Sequence, residues 1–180
     1  MTRYRFAAVA VAASTMLFAG CGIQIPADPS GTLDAVEGGV LRAGVTPNGE
    51  WVRVGEDSPT GVTPNGEWVR VGEDSPTGTE VEALTHFAQS LNAEIQWTVG
   101  SEESLVRGLE DGQLDVVAGG LSDKTPWTNK AGVTRPYAEA TLADGSSLKL
   151  VMLVPLGENA FVSALETFLT DETSRAGTAP

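Results

Sequence analysis

Residues 44–60 read GVTPNGEWVRVGEDSPT, and residues 61–77 repeat them without a change. A solenoid needs about three units or more before neighbouring faces bury one another, and natural repeats drift apart in sequence. Two identical copies, neither holding a complete strand–helix unit, describe instead an ordinary domain with a duplicated stretch in one loop region. With one copy removed the chain reads VLRAGVTPNGEWVRVGEDSPTGTEVEAL, which parses as strand, turn, strand, turn and helix. The first copy keeps the lead-in Val40–Ala43 and the second keeps the lead-out Gly78–Val81. Gly44 to Thr46 should therefore finish the first core strand while the surplus loops outward, with Trp51–Val54 and Trp68–Val71 placed to pair as a surface hairpin.

The rest of the chain alternates in period. Val81, Leu84, Phe87, Ala88 and Leu91 recur at helical spacing, so residues 80–91 form an amphipathic helix. EIQWTV at 94–99 alternates as a strand, and Trp97 on it is expected in the core. Ser101 is a good N-cap for a short helix carrying Leu105, Val106 and Leu109, which stops at Asp111-Gly112. LDVVA at 114–118 is a buried strand. Strands alternating with helices pair in parallel and give an α/β layer structure. The later part differs: Ala138–Leu142, a turn at Asp144-Gly145 and Leu148–Val154 form a hairpin. Residues 158–169 make a helix with Phe161, Ala164, Leu165, Phe168 and Leu169 inward, and 171–180 carry no periodicity and should fray.

The first twenty-one residues have their own logic. Arg3 and Arg5 precede a small-residue apolar run from Phe6 to Phe18, and Leu17-Phe18-Ala19-Gly20 leads to Cys21, the only cysteine. This is the pattern of a bacterial lipoprotein signal peptide, residues 1–20, with Cys21 lipidated; Phe18 stands where such signals usually carry Leu. The run is short of the roughly 20 apolar residues a membrane span needs. Residues 21–34, with Pro26 and Pro29, read as a lipidated tether, residues 35–170 as the folded lobe and 171–180 as a tail. Acyl chains on Cys21 would hold the protein on the outer face of the cell membrane. A net charge of −13, which becomes −15 without residues 1–20, opposes binding to a phosphate backbone, so nucleic acid is not a partner.

Several segments carry a resemblance. Leu41-Arg42-Ala43-Gly44-Val45, then Thr77-Gly78-Thr79-Glu80-Val81, then Leu114 to Ser122 (LDVVAGGLS), then Thr134-Arg135-Pro136-Tyr137, resemble the first lobe of family 3 solute-binding proteins, the extracytoplasmic receptors of polar amino acid ABC importers. Val154 to Phe161 (VPLGENAF) resembles the family's closing segment, and the match runs over about residues 35–170. The resemblance implies a periplasmic-binding-protein-like α/β lobe with a mixed, mostly parallel sheet flanked by helices. It implies a small-molecule solute, an ABC permease as partner, no cofactor and no catalysis. The family's second lobe is largely absent, because Asp144-Gly145 turns straight back.

A zwitterionic solute needs backbone donors and acceptors at strand ends, a cation for its carboxylate and an aromatic wall. Gly119, Gly120, Leu121 and Ser122 supply the first at the carboxyl end of a parallel strand, where open α/β sheets bind ligands; the same glycines also suit a plain tight turn. Where the family usually places a carboxylate-binding Arg this chain has Trp127, which forms no bidentate ion pair, leaving Lys124 or Arg135 as point charges. Trp51 follows the first strand where the family often has an aromatic ligand wall, a place a packing residue could also fill, and Trp68 repeats it. His86, the only histidine, lies opposite its helix's apolar stripe; no Ser-His-Asp set or metal cluster can be assembled around it. Glu102-Glu103 and Glu110-Asp111 read as solvated helix surface. Against the receptor stands a different class, an interaction or sensory module that docks to a membrane protein or forms a homodimer. A third, an enzyme, lacks an acid–base constellation.

Overall fold

A computed structural model of the chain describes residues 28–47, 76–141 and 145–176. Its elements in chain order are α1 (Thr32–Val36), β1 (Val40–Val45), α2 (Thr79–Ser90), β2 (Glu94–Val99), α3 (Glu102–Glu110), β3 (Val116–Ser122), β4 (Gly132–Val133), β5 (Ala138–Thr141), β6 (Ser147–Val154) and α4 (Asn159–Ala176). One sheet runs in the order β2-β1-β3-β6-β4, with β5 also on β6. β1 pairs in parallel with β2 and β3, as the alternation of strands and helices requires. β6 arrives from a hairpin and runs antiparallel to β3, β4 and β5.

The central strands are covered on both faces, which is why they read as unbroken apolar runs. On one face Leu41, Ala43, Val116, Ala118, Met152 and Val154 meet α1, α2 and α4. Phe87 of α2 stacks edge-on against Phe161 of α4 at 5.9 Å and lies 5.4 Å from Phe168. On the other face Val117, Leu121, Val151 and Leu153 pack under Leu105, Val106 and Leu109 of α3. A Cβ at Gly44 would stand 2.8 Å from Leu114 and 2.9 Å from Leu105, so this glycine admits α3 close to the strand. At the amino end of β3, buried Asp115 accepts hydrogen bonds from the Arg42 backbone N–H (2.8 Å), its Nε (3.0 Å) and its Nη2, while its own N–H donates to the Arg42 carbonyl. The pairing of β1 with β3 is thereby extended one residue, and the buried charge is fully partnered.

Some expectations shift. The tether does not reach residue 34: Glu158 accepts the N–H groups of Ser30 (3.0 Å) and Thr32 (3.2 Å), and Asp28 accepts that of Leu33 (2.7 Å), so residues 28–34 already belong to the packed lobe. The tail does not fray at 171, because α4 continues to Ala176. Thr170, Thr173 and Ser174 return their hydroxyls to carbonyls one turn back, and Glu172 meets His86 Nδ1 at 2.8 Å and Arg175 at 3.5 Å. Trp97 is half-buried, since β2 is an edge strand. β3 starts two residues later than expected and continues to Ser122. Cys21, Trp51–Val54 and Trp68–Val71 lie outside the described residues.

Candidate ligand-binding site

The carboxyl end of β3 is where the sheet becomes irregular. β1 ends at Val45, and the last link on that side is Thr46 N–H to the Ala118 carbonyl at 3.1 Å. On the other side Val117 pairs with Leu153 but Leu121 pairs with Val151, so four steps along β3 match two along β6. The two surplus residues form a bulge centred on Gly119 and Gly120. Their φ angles are 142° and 66°, and a Cβ on Gly119 would lie 2.2 Å from Thr46 Cγ2 and 2.6 Å from its carbonyl oxygen. The backbone alone therefore demands glycine at 119.

A bulge leaves backbone groups without ladder partners. Here the Gly120 N–H donates to Oε2 of Glu80, in the first turn of α2, at 2.8 Å, and the Gly119 backbone also favours the charged form of that carboxylate. The Tyr137 hydroxyl donates to Oε1 of the same group. Glu80 is 2% exposed. Burial pushes its pKa up and the three donors, Tyr137 first, pull it back; the result stays above the ordinary carboxylate value. Burial, then the Glu80 charge and hydrogen bond, hold the Tyr137 phenol well above its usual range.

Ser122 pairs with Leu150, and its Oγ accepts the Lys124 N–H at 3.3 Å while its carbonyl accepts that of Thr125 at 2.9 Å. The chain thus turns sharply after β3, and Lys124 in that turn is exposed. Lys124 has no ion-pair partner among the described residues, whereas Arg135 is held by Glu166 of α4 through Nε (2.7 Å) and its backbone N–H (2.6 Å). Of the two candidate cations only Lys124 remains. The Leu121 side chain is buried in the α3-side core, 3% exposed, so only its backbone belongs to the ledge. Trp127 packs against that same cluster and donates its indole N–H to Glu102 Oε2 at 3.2 Å, at the amino end of α3. Because α3 starts where β2 ends, Trp127 stands at the same edge of the sheet as Gly119–Ser122. Glu110 is exposed as expected and pairs with Lys130 at 3.1 Å.

Sequence reasoning missed Glu80 as a site residue, since an acid in a helix's first turn is ordinarily a solvated group favoured by the dipole. A signal existed: Glu80 lies four and seven residues before Leu84 and Phe87, on the buried stripe. The opposite edge of the sheet carries an open cleft of about 520 Å³, lined by Arg42, Asp115, Lys130, Glu110, Leu156 and their neighbours. Its cations already face Asp115 and Glu110.

The bacterial extracellular solute-binding proteins, family 3, match residues 62–175 of this sequence, well over half of it. The chain belongs to that family. The match opens inside the second copy of the duplication, the one contiguous with α2. Membership implies a binding role and an extracytoplasmic location, and no helix among the described residues is long and apolar enough to cross a membrane. No curated protein matches the chain. Among solved structures it is similar to the arginine-bound form of domain 1 from TmArgBP of T. maritima, at 16% identity and a TM-score of 0.58, covering 77% of this chain and 97% of that one. It is also similar to an amino acid ABC transporter substrate-binding protein from Streptococcus pneumoniae bound to L-arginine (9%, TM-score 0.61, 82% and 93%). A third likeness is to the ancestral amino-acid-binding protein AncCDT-1, a precursor of cyclohexadienyl dehydratase (13%, TM-score 0.61, 82% and 95%), so the fold has an enzymatic relative. At these identities the likeness is one of fold.

Proposed function

We propose that this chain is the solute-binding component of an ABC importer, held outside the membrane by lipid on Cys21, whose one lobe presents a small amino-acid-like solute to the permease. The observation that carries the reading is the bulged ledge Gly119–Ser122 at the carboxyl end of the parallel strands, with Lys124 beside it. Side-chain-free backbone lets a solute approach closely, Ser122 adds a hydroxyl, and Lys124 offers a point charge to a carboxylate. Trp127, and Trp51 or Trp68 from the loop after β1, would supply the aromatic wall. Binding, without cofactor or metal, is the whole activity in this account.

A single lobe fits the path of the chain, since only residues 142–146 separate β5 from β6. The arginine-bound form of domain 1 from TmArgBP supports the view that one lobe of this fold can hold a ligand. A charge of −13 favours a cationic solute over an anionic one through the long-range field. Calorimetric titration of the full chain with the twenty amino acids, L-arginine first, tests the reading. We expect a Kd of roughly 1–100 μM for at least one of them, weakened about 3- to 10-fold by K124A. No heat with any amino acid, together with a stable homodimer in sedimentation, would reject it in favour of a docking or sensory module.

A further inference from the structure

We infer that Glu80 is the positioning residue of the ledge: its carboxylate holds Gly119 and Gly120 in the bulged conformation on which a solute is received. The inference rests on reading that ledge as the binding surface. Two facts converge on it. The bulge takes Gly119 and Gly120 out of the strand register, because β1 has ended and β6 resumes pairing only at Leu121. In the same bulge the Gly120 N–H donates to Glu80 Oε2 at 2.8 Å, and the Gly119 backbone acts on the same carboxylate. One side chain from α2 thus ties down the bulge through Gly120, and its other oxygen takes the hydroxyl of Tyr137, just ahead of β5.

All of the hydrogen-bonding partners of Glu80 are donors. The ionised form satisfies them together, whereas a protonated carboxyl turns its own hydrogen against one of them. The first turn of α2 favours the anion, which offsets part of the burial. Tyr137 is the titratable group that faces Glu80 among the described residues. Gln at this position can accept from the bulge through its oxygen and donate to the Tyr137 oxygen through its nitrogen; Ala takes that acceptor from the Gly120 N–H and the Tyr137 hydroxyl.

Amide hydrogen exchange and pH titration by NMR on the full chain test this without any ligand. In E80A, exchange at Gly119 and Gly120 is expected to rise about tenfold beyond any rise at Val117 or Met152. E80Q keeps both amides within about threefold of wild type. In wild type the Gly119 and Gly120 amide shifts should titrate together, with a midpoint above the ordinary value of 4.5, and in E80Q that titration should vanish. A rise in exchange spread evenly over the sheet, or glycine shifts that ignore pH in the wild type, overturns the inference. If E80A does not fold, the wild-type and E80Q titrations decide it. Calorimetry then separates the two claims: with no amino acid bound by wild type, the ledge is not a receptor surface, whatever the amides show. With a ligand in hand, E80A should weaken it about tenfold and E80Q restore it; unchanged affinity in an E80A whose glycines have lost protection refutes the positioning role.

Discussion

At Gly119 a methyl group would sit 2.2 Å from Thr46 Cγ2, on a backbone with φ of 142°. G119A should therefore destabilise the lobe by about 2–4 kcal/mol and lower its melting temperature by roughly 10 °C; a calorimetric melt within a degree or two of wild type would show that the bulge can relax. The carboxylates make a different prediction. Burial raises the Asp28 pKa; the Leu33 N–H opposes this and neighbouring Glu158 adds to it, for a net increase. Burial also pushes Glu158 up, but the Ser30 N–H, the Thr32 hydroxyl and N–H and the Asp28 carboxyl outweigh it and leave it below the ordinary value. A raised acid loses its stabilising contribution as pH rises through the folded pKa, and a lowered one loses it as pH falls through its own. Stability should thus peak at mildly acidic pH. D28N imitates protonated Asp28 and should flatten the alkaline side in melts over about pH 4 to 8; a profile parallel to wild type would contradict the coupling. Glu80, raised as well, adds to the same alkaline-side loss.

Among the elements, β1, α2, β2, α3 and the β5–β6 hairpin were legible because each repeats its apolar residues at one clear period. α1 and β4 were not, being five and two residues long, too short to show a period. The end of α4 was hidden because it is held by hydroxyls and charges rather than by an apolar face. Of the candidate site, the Gly119–Ser122 ledge could be read from the sequence. The carboxylate beneath it showed only as an acid on the apolar stripe of α2, since its donors lie in a bulge that only the pairing of β3 with β6 reveals. The duplication is a matter of elements too. Only the first copy is preceded by a strand: in the second, Asp57-Ser58-Pro59-Thr60 stands where the first has Val40-Leu41-Arg42-Ala43. Pro59 would fall at the position of Arg42, whose N–H bonds Asp115, and a proline has no N–H to give. Deleting residues 61–77 roughly halves the connection from β1 to α2, which changes closure entropy by only about 0.6 kcal/mol. The melting temperature should stay level or rise slightly, and a clear fall would mean that the second copy packs on the lobe.

At the scale of the whole molecule, strand alternation places one edge of the sheet, with the amino ends of α2 and α3, the bulge and Lys124, apart from the edge where Arg42, Asp115, Lys130 and Leu156 line the open cleft. With the solute on the first edge, the chain's acidity should make binding sensitive to salt. For L-arginine, affinity should weaken several-fold between about 0.05 and 0.5 M NaCl, and a flat salt response would argue against an electrostatic preference. The most direct measurement is amide chemical-shift mapping of the full chain as L-arginine, or whichever amino acid binds best, is added. Saturable shifts are expected at Gly119, Gly120, Leu121, Ser122 and Lys124, with Arg42, Asp115 and Lys130 unmoved. Shifts confined to Arg42, Asp115 and Lys130, or none with any amino acid, would contradict this.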